Sequence, residues 1–341
     1  MNEDIRNKIH VDHKDIIELN FIRNPGKYFF RQYYKQGLRS HIMEVLDPDD
    51  IRRQEEGAFI GGVKQFPWAE PLKMLRIFRS VFSSPEAVFE EIKKYKIVED
   101  YLPKDSYARS YEFMVDYLSE GCWNVMLCGL QEYVEGEVLN PWGLTQDAYL
   151  AILLKGRYKG HFNGSVNDSA EGSAGGPPVG GETLVKLPYE GDAGRLVRRS
   201  KQKAARFMEG LKKMILEANY VPDLAGVGNL ILTAGGDITL VDINNISGVS
   251  FEPSIRLDDK GYPICDKSIE AMSLLEQHVL EKAIDKTEPI YRIFLAPQRM
   301  SRVKELEEEF YRSLMSGKTP IYPQYNREKL LNVPNSGRKI P

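Results

Sequence analysis

Apolar residues recur along this chain in two rhythms, and each rhythm predicts a kind of element. Residues 83–102, SSPEAVFEEIKKYKIVEDYL, place Val88, Phe89, Ile92, Tyr95 and the run from Val98 to Leu102 at helical spacing. A serine stands where an N-cap belongs and Pro85 falls in the first turn, so a helix is predicted here. The stretches 71–78 (PLKMLRIF), 110–118 (SYEFMVDYL) and 124–134 (NVMLCGLQEYV) are rich in aliphatic and aromatic residues and predict strands. Asn140-Pro141 opens a short helix over 143–155, and 193–220 predicts a long one. In that long helix Phe207, Leu211, Met214, Ile215 and Ala218 form one stripe opposite a basic face of Arg195, Arg198, Arg199, Lys201, Lys203 and Arg206. Two more helices are expected near 266–285 and 298–315. Strands with one helix come first and helices dominate afterwards, which predicts an α+β chain with a small mixed lobe and a larger, mainly helical one. The boundaries drawn from this pattern are an N-terminal extension (1–54), a first lobe (55–134), a second lobe (135–320) and a tail (321–341).

Residues 164–182, GSVNDSAEGSAGGPPVGGE, offer almost nothing to bury and are read as a flexible insert within the second lobe. With 341 residues, 42% of them hydrophobic, the rest of the chain can build a sizeable core. The net charge of −3 gives no electrostatic reason to expect a nucleic-acid partner. The charged opening is not a signal peptide, and no run of about 18 apolar residues exists to insert in a membrane. Cys122, Cys128 and Cys265 lack metal-site spacing and predict reduced, buried thiols in a cytoplasmic protein.

The stretch 222–247, PDLAGVGNLILTAGGDITLVDINNIS, carries the clearest candidate chemistry. Two apolar runs flank Gly235-Gly236, a pair suited to a two-residue turn because both central positions can demand positive φ. If those two glycines form the loop, Asn229 and Asp242 face each other across the hairpin, with Cβ atoms roughly 4.5–5.5 Å apart. A carboxylate and an amide oxygen at that separation suit a hard cation such as Mg²⁺. Strands also commonly begin and end in polar residues, so the hairpin alone leaves both readings open.

The same stretch resembles the catalytic and metal-binding segments of the protein-kinase-like superfamily, in which an Asp and an Asn precede a hairpin that ends in the Asp of a D-F-G motif. The resemblance implies that Asp242 and Asn229 hold Mg²⁺ and that Asp223 accepts the proton of the attacking hydroxyl. It implies that Lys73 contacts the nucleotide phosphates and is held by Glu91, although Arg76 or Arg79 could compete with Lys73 and Glu90 lies one residue from Glu91. Residues 124–137, NVMLCGLQEYVEGE, resemble the hinge of that superfamily, with Glu132, Tyr133 and Val134 at the adenine edge. Gly57, Gly61 and Gly62 in EEGAFIGGVKQF would form a flap over the phosphates, without the regular G-x-G-x-x-G. The chain departs from the pattern in three places. Val221-Pro222 precedes Asp223, six residues rather than five separate Asp223 from Asn229, and Asp-Ile-Asn replaces D-F-G.

The function so implied is that of an atypical, bacterial-type kinase with a two-lobed protein-kinase-like fold. It would use ATP and Mg²⁺ to move a phosphoryl group to an unknown hydroxyl-bearing substrate. The altered loop leaves an alternative, a pseudokinase-like module that binds a nucleotide without turnover. A metal-dependent hydrolase has less support, because the histidines at 10, 13, 41, 161 and 278 are scattered and none lies near the acidic cluster.

Overall fold

In the computed structural model, which describes residues 4–34, 39–119, 121–158 and 191–315, the chain folds as a mixed α+β structure. Its first part contributes α1 (His13–Ile17), β1 (Phe29–Gln32), β2 (Ser40–Leu46), α2 (Pro48–Glu56), β3 (Ala58–Ile60), β4 (Val63–Gln65), β5 (Lys73–Phe78), α3 (Pro85–Tyr101), β6 (Ser110–Ser119) and β7 (Cys122–Glu132). Five of these strands form one antiparallel sheet in the order β1-β2-β5-β7-β6. Two of the five come from residues assigned by pattern to an N-terminal extension. Their signal was weak because β2 is buried at all but one position and so shows no alternation.

Side-chain alternation along β5 and β7 gives the sheet two different faces. Leu75, Ile77, Met126 and Cys128 pack with Ile5, Val11, Ile16 and Leu19 of the N-terminal segment. That segment is also held by hydrogen bonds, with the Ile5 amide donating to the Tyr117 hydroxyl and Arg79 donating to the carbonyls of Arg6 and Lys8. His41, fully buried, joins the Ile5 carbonyl at 2.8 Å; burial, then the Arg79 charge, pushes its pKa down to about 4. On the opposite face Phe78 and Leu127 pack with Val88 and Tyr95 of α3. This helix has the predicted start, with Ser84 Oγ accepting from the Ala87 amide and Pro85 in its first turn.

The glycine-punctuated stretch forms the separate β3–β4 hairpin. Gly61 and Gly62 both take positive φ, 58° and 80°, as a two-residue turn between antiparallel strands requires.

After β7 follow β8 (Glu137–Val138), α4 (Gln146–Tyr158), α5 (Asp192–Lys213) with a π turn over Met214–Ala218, β9 (Tyr220–Pro222), β10 (Leu230–Leu232), β11 (Ile238–Leu240), β12 (Ile246–Gly248), α6 (Ile264–Val279), α7 (Pro289–Phe294) and α8 (Pro297–Met315). The predicted stripe of α5 is buried except at its last position, Ala218, which is half-buried: Phe207, Leu211, Met214 and Ile215 join Tyr149, Ile269, Met272, Tyr291 and Phe294 in one large apolar cluster. Each such side chain contributes about 1.5–3 kcal/mol by leaving water. The basic face is partly tied down, through Lys203 to Asp237 and Lys201 to Glu281. Cys128 and Cys265 are buried, but Cys122 at the β6–β7 turn is exposed, against expectation. The insert 164–182 and the tail lie outside the described residues.

Candidate functional site

The hairpin of β10 and β11 exists, one residue out of the expected register. Leu230 pairs with Leu240 and Leu232 with Ile238, so the loop holds Ala234, Gly235 and Gly236 rather than the two glycines alone. The Gly236 amide donates to Thr233 O at 2.9 Å and Gly236 sits at φ 79°, a tight turn followed by a left-handed residue. A neighbouring helix sets this choice. Ser200 of α5 donates to the Gly236 carbonyl at 2.6 Å, and a Cβ on Gly236 would meet the Ser200 Cβ at 2.7 Å. Tyr149 in turn donates to Ser200 Oγ. The consequence is a correction: Asn229 stands across from Val241, whose amide donates to its carbonyl at 2.8 Å, and not from Asp242.

Asn229 is fixed by a different contact. Its amide nitrogen donates to the carbonyl of Asp223 at 2.9 Å, closing the six-residue loop. Gly226 permits this approach, since a Cβ there would collide with the Asn229 amide. Pairing of β9 with β12, Pro222 opposite Ile246, brings the next residues together as well. The Asp223 amide donates to the Asn245 carbonyl at 2.8 Å, and Asn245 Nδ2 donates to Asp223 Oδ2 at 2.8 Å. Asp223 Oδ1 accepts from the amides of Ala225 and Gly226. Three donors thus hold a carboxylate that is itself buried. Burial first, and then the negative charge of Asp242, push its pKa up to about 6, although those hydrogen bonds pull the other way.

Asp242 meets a cation from the five-stranded sheet, and that cation is Arg76. Its Nη1 lies 2.6 Å from Asp242 Oδ1, and its Nη2 donates to the Val241 carbonyl at 2.6 Å. Gln131, the residue before the hinge-like segment, donates to the same carbonyl at 2.7 Å. β5 and β7 are therefore both sewn to the end of the hairpin. Lys73 lies three residues earlier, opposite Glu132 in the β5–β7 register, with 4.0 Å between their charged atoms and both side chains 41% exposed. Glu91 receives Lys94 at 2.8 Å and the Tyr95 hydroxyl at 2.9 Å. The expected Lys73–Glu91 pair is not formed. The sequence signal for Arg76 was a lone cation inside a buried run, flanked by Met74, Leu75, Ile77 and Phe78.

The remaining candidates distribute as follows. Glu132 ends β7, Tyr133 and Val134 follow it in the connection to β8, and β8 pairs with β10 of the hairpin. Gly57 caps the end of α2, and Gly61 and Gly62 form the turn of the β3–β4 hairpin, which is not part of the five-stranded sheet.

The side chains can accept a hard cation in one specific sense. Among the described residues no group of three or more His, Cys, Asp or Glu forms a metal cage. Mg²⁺ rarely uses one: it binds one or two protein oxygens together with phosphates and water. Asp242 and the Oδ1 of Asn229 are hard oxygen donors on the two strand ends flanking Asp223, and the Arg76 guanidinium supplies the counter-charge to Asp242 here. Comparison with known proteins finds no family model and no curated sequence that matches the chain.

Proposed function

We propose that this protein is an ATP- and Mg²⁺-dependent phosphotransferase of two-lobed, protein-kinase-like build, acting on a hydroxyl acceptor. One observation carries the reading: a carboxylate, Asp223, whose own carbonyl is held by Asn229 and whose pKa is raised by burial and then by Asp242, while Asp242 is gripped by a strand cation. In this reading Arg76 does the work first assigned to Lys73, presenting a guanidinium to phosphate oxygens, for which its planar fork is well suited. Asp223 takes the proton of the acceptor hydroxyl as its oxygen bonds to phosphorus and ADP departs. Mg²⁺ held by Asp242 and Asn229 would neutralise charge on the phosphates. The segment 132–134 would meet the adenine.

A second reading, nucleotide binding without turnover, is favoured by the Arg76–Asp242 ion pair, which occupies the carboxylate a metal would need. A thermal-shift titration and an ATP-turnover assay separate the two. Saturating Mg-ATP at about 100 Kd should stabilise the protein by about 2.7 kcal/mol, dependent on the metal and lost in Asp242→Ala. Turnover abolished by Asp223→Ala supports the transferase, and binding without turnover supports the module. No stabilisation at millimolar Mg-ATP would end both.

A further inference from the structure

Glu112 of β6 has no place in the chemistry described so far, yet its environment is demanding. Its side chain is 1% exposed, and its carboxylate has no short hydrogen bond, only a long contact with one lysine. Lys96 of α3 stands 3.4 Å away, but it also pairs with Glu99 on its own helix at 2.7 Å. A carboxylate buried on such terms is costly unless something uses it. In the sheet, Glu112 and Arg76 are both paired with Gly129, one from each side. Gly129 puts no side chain between them: the place its Cβ would take is 3.9 Å from Arg76 Cβ, 3.9 Å from Glu112 Oε1 and 3.3 Å from Ser110 Oγ. Arg76 Nε and Ser110 Oγ are also buried and unpartnered. An arginine with one buried nitrogen unpartnered and a buried carboxylate whose lysine is shared with Glu99 therefore stand on either side of a residue that has no side chain.

We propose that Glu112 is the positioning residue for Arg76, the anion that holds its guanidinium when Asp242 is engaged elsewhere. The inference rests on the kinase-like reading for its purpose. If Asp242 turns to a divalent ion, Arg76 loses the partner of its Nη1, and Glu91 is already shared between Lys94 and Tyr95. Glu112 lies across an unobstructed glycine and can receive the freed guanidinium, keeping it aimed at the phosphates.

The exchange can be read without nucleotide. Urea unfolding of Glu112→Gln is measured in the natural chain and in Asp242→Asn, where Arg76 must look for another anion. The folding equilibrium constant should fall at least about tenfold further in the Asp242→Asn background. Gly129→Ala, which fills the gap but leaves the carboxylate, should show the same dependence on background if Glu112→Gln folds poorly. Equal losses in both backgrounds, or a Lys96→Met variant that reproduces the background-dependent loss, would overturn the proposal. With nucleotide, calorimetry should show Mg-ATP binding weakened about tenfold in Glu112→Gln. Unchanged affinity in a variant whose parent binds Mg-ATP also overturns it, whereas a parent that binds none refutes only the transferase reading.

Discussion

Replacing Arg76 with Met, Asp242 with Asn, and then both, measures the contact on which the site turns. The guanidinium is 5% exposed and lies 2.6 Å from a carboxylate that keeps 26% of its exposure. At an effective dielectric of about 20, two unit charges about 4 Å apart attract by about 4 kcal/mol, and desolvation of the guanidinium offsets part of that. Removing one partner of a wholly buried pair costs about 3–5 kcal/mol, and the solvent that reaches Asp242 lowers the figure, so the coupling should be about 2 kcal/mol. Arg76→Met should cost more than Asp242→Asn, because it also strips the Val241 carbonyl of its 2.6 Å donor. Urea denaturation at pH 7 gives all four stabilities, with unchanged m-values as the check that the folded state is the same. A coupling below about 0.5 kcal/mol, the size of an exposed surface pair, would refute the argument that this contact joins sheet and hairpin.

Two further outcomes follow from the same geometry. The Asp223 carboxyl has a folded pKa raised to about 6, so the stability it lends is present at low pH and fades as pH rises through 6, while its capacity to accept a proton grows. Turnover should therefore climb across pH 5–7, whereas that part of the thermal stability declines between about pH 4 and 6, and Asp223→Asn should flatten the stability curve over the latter range. Gly236→Ala should destabilise by about 2 kcal/mol, because an L side chain resists φ 79° and its Cβ would press on Ser200. Calorimetric melting would show it, and a neutral result would mean that the turn can slide to the two-residue form.

Much of the architecture was legible where local chemistry and burial agreed. Ser84-Pro85 marks the start of α3, and the stripe through Phe207 and Leu211 gives the buried face of α5. Reading failed where a tertiary contact outweighed the local signal. Gly61-Gly62 and Gly235-Gly236 invite the same tight turn, and the first pair adopts it in an exposed hairpin, yet at the second the grip of Ser200 selects the longer loop. Lys73 and Arg76 were indistinguishable by spacing alone. The cross-strand register decides, setting Lys73 against Glu132 and Arg76 against the glycine that leaves it room. Asn245 was invisible because its role arises from β12 returning beside β9.

The tether between the Ile5 amide and the Tyr117 hydroxyl spans 112 residues of sequence. On the ribosome, the segment from Ile5 to Leu19 must therefore wait, its aliphatic side chains uncovered, until β6 has emerged to receive it. Contacts of such separation slow folding. Residues 5–19 thus dock only after the sheet that receives them has been made, long after their own emergence.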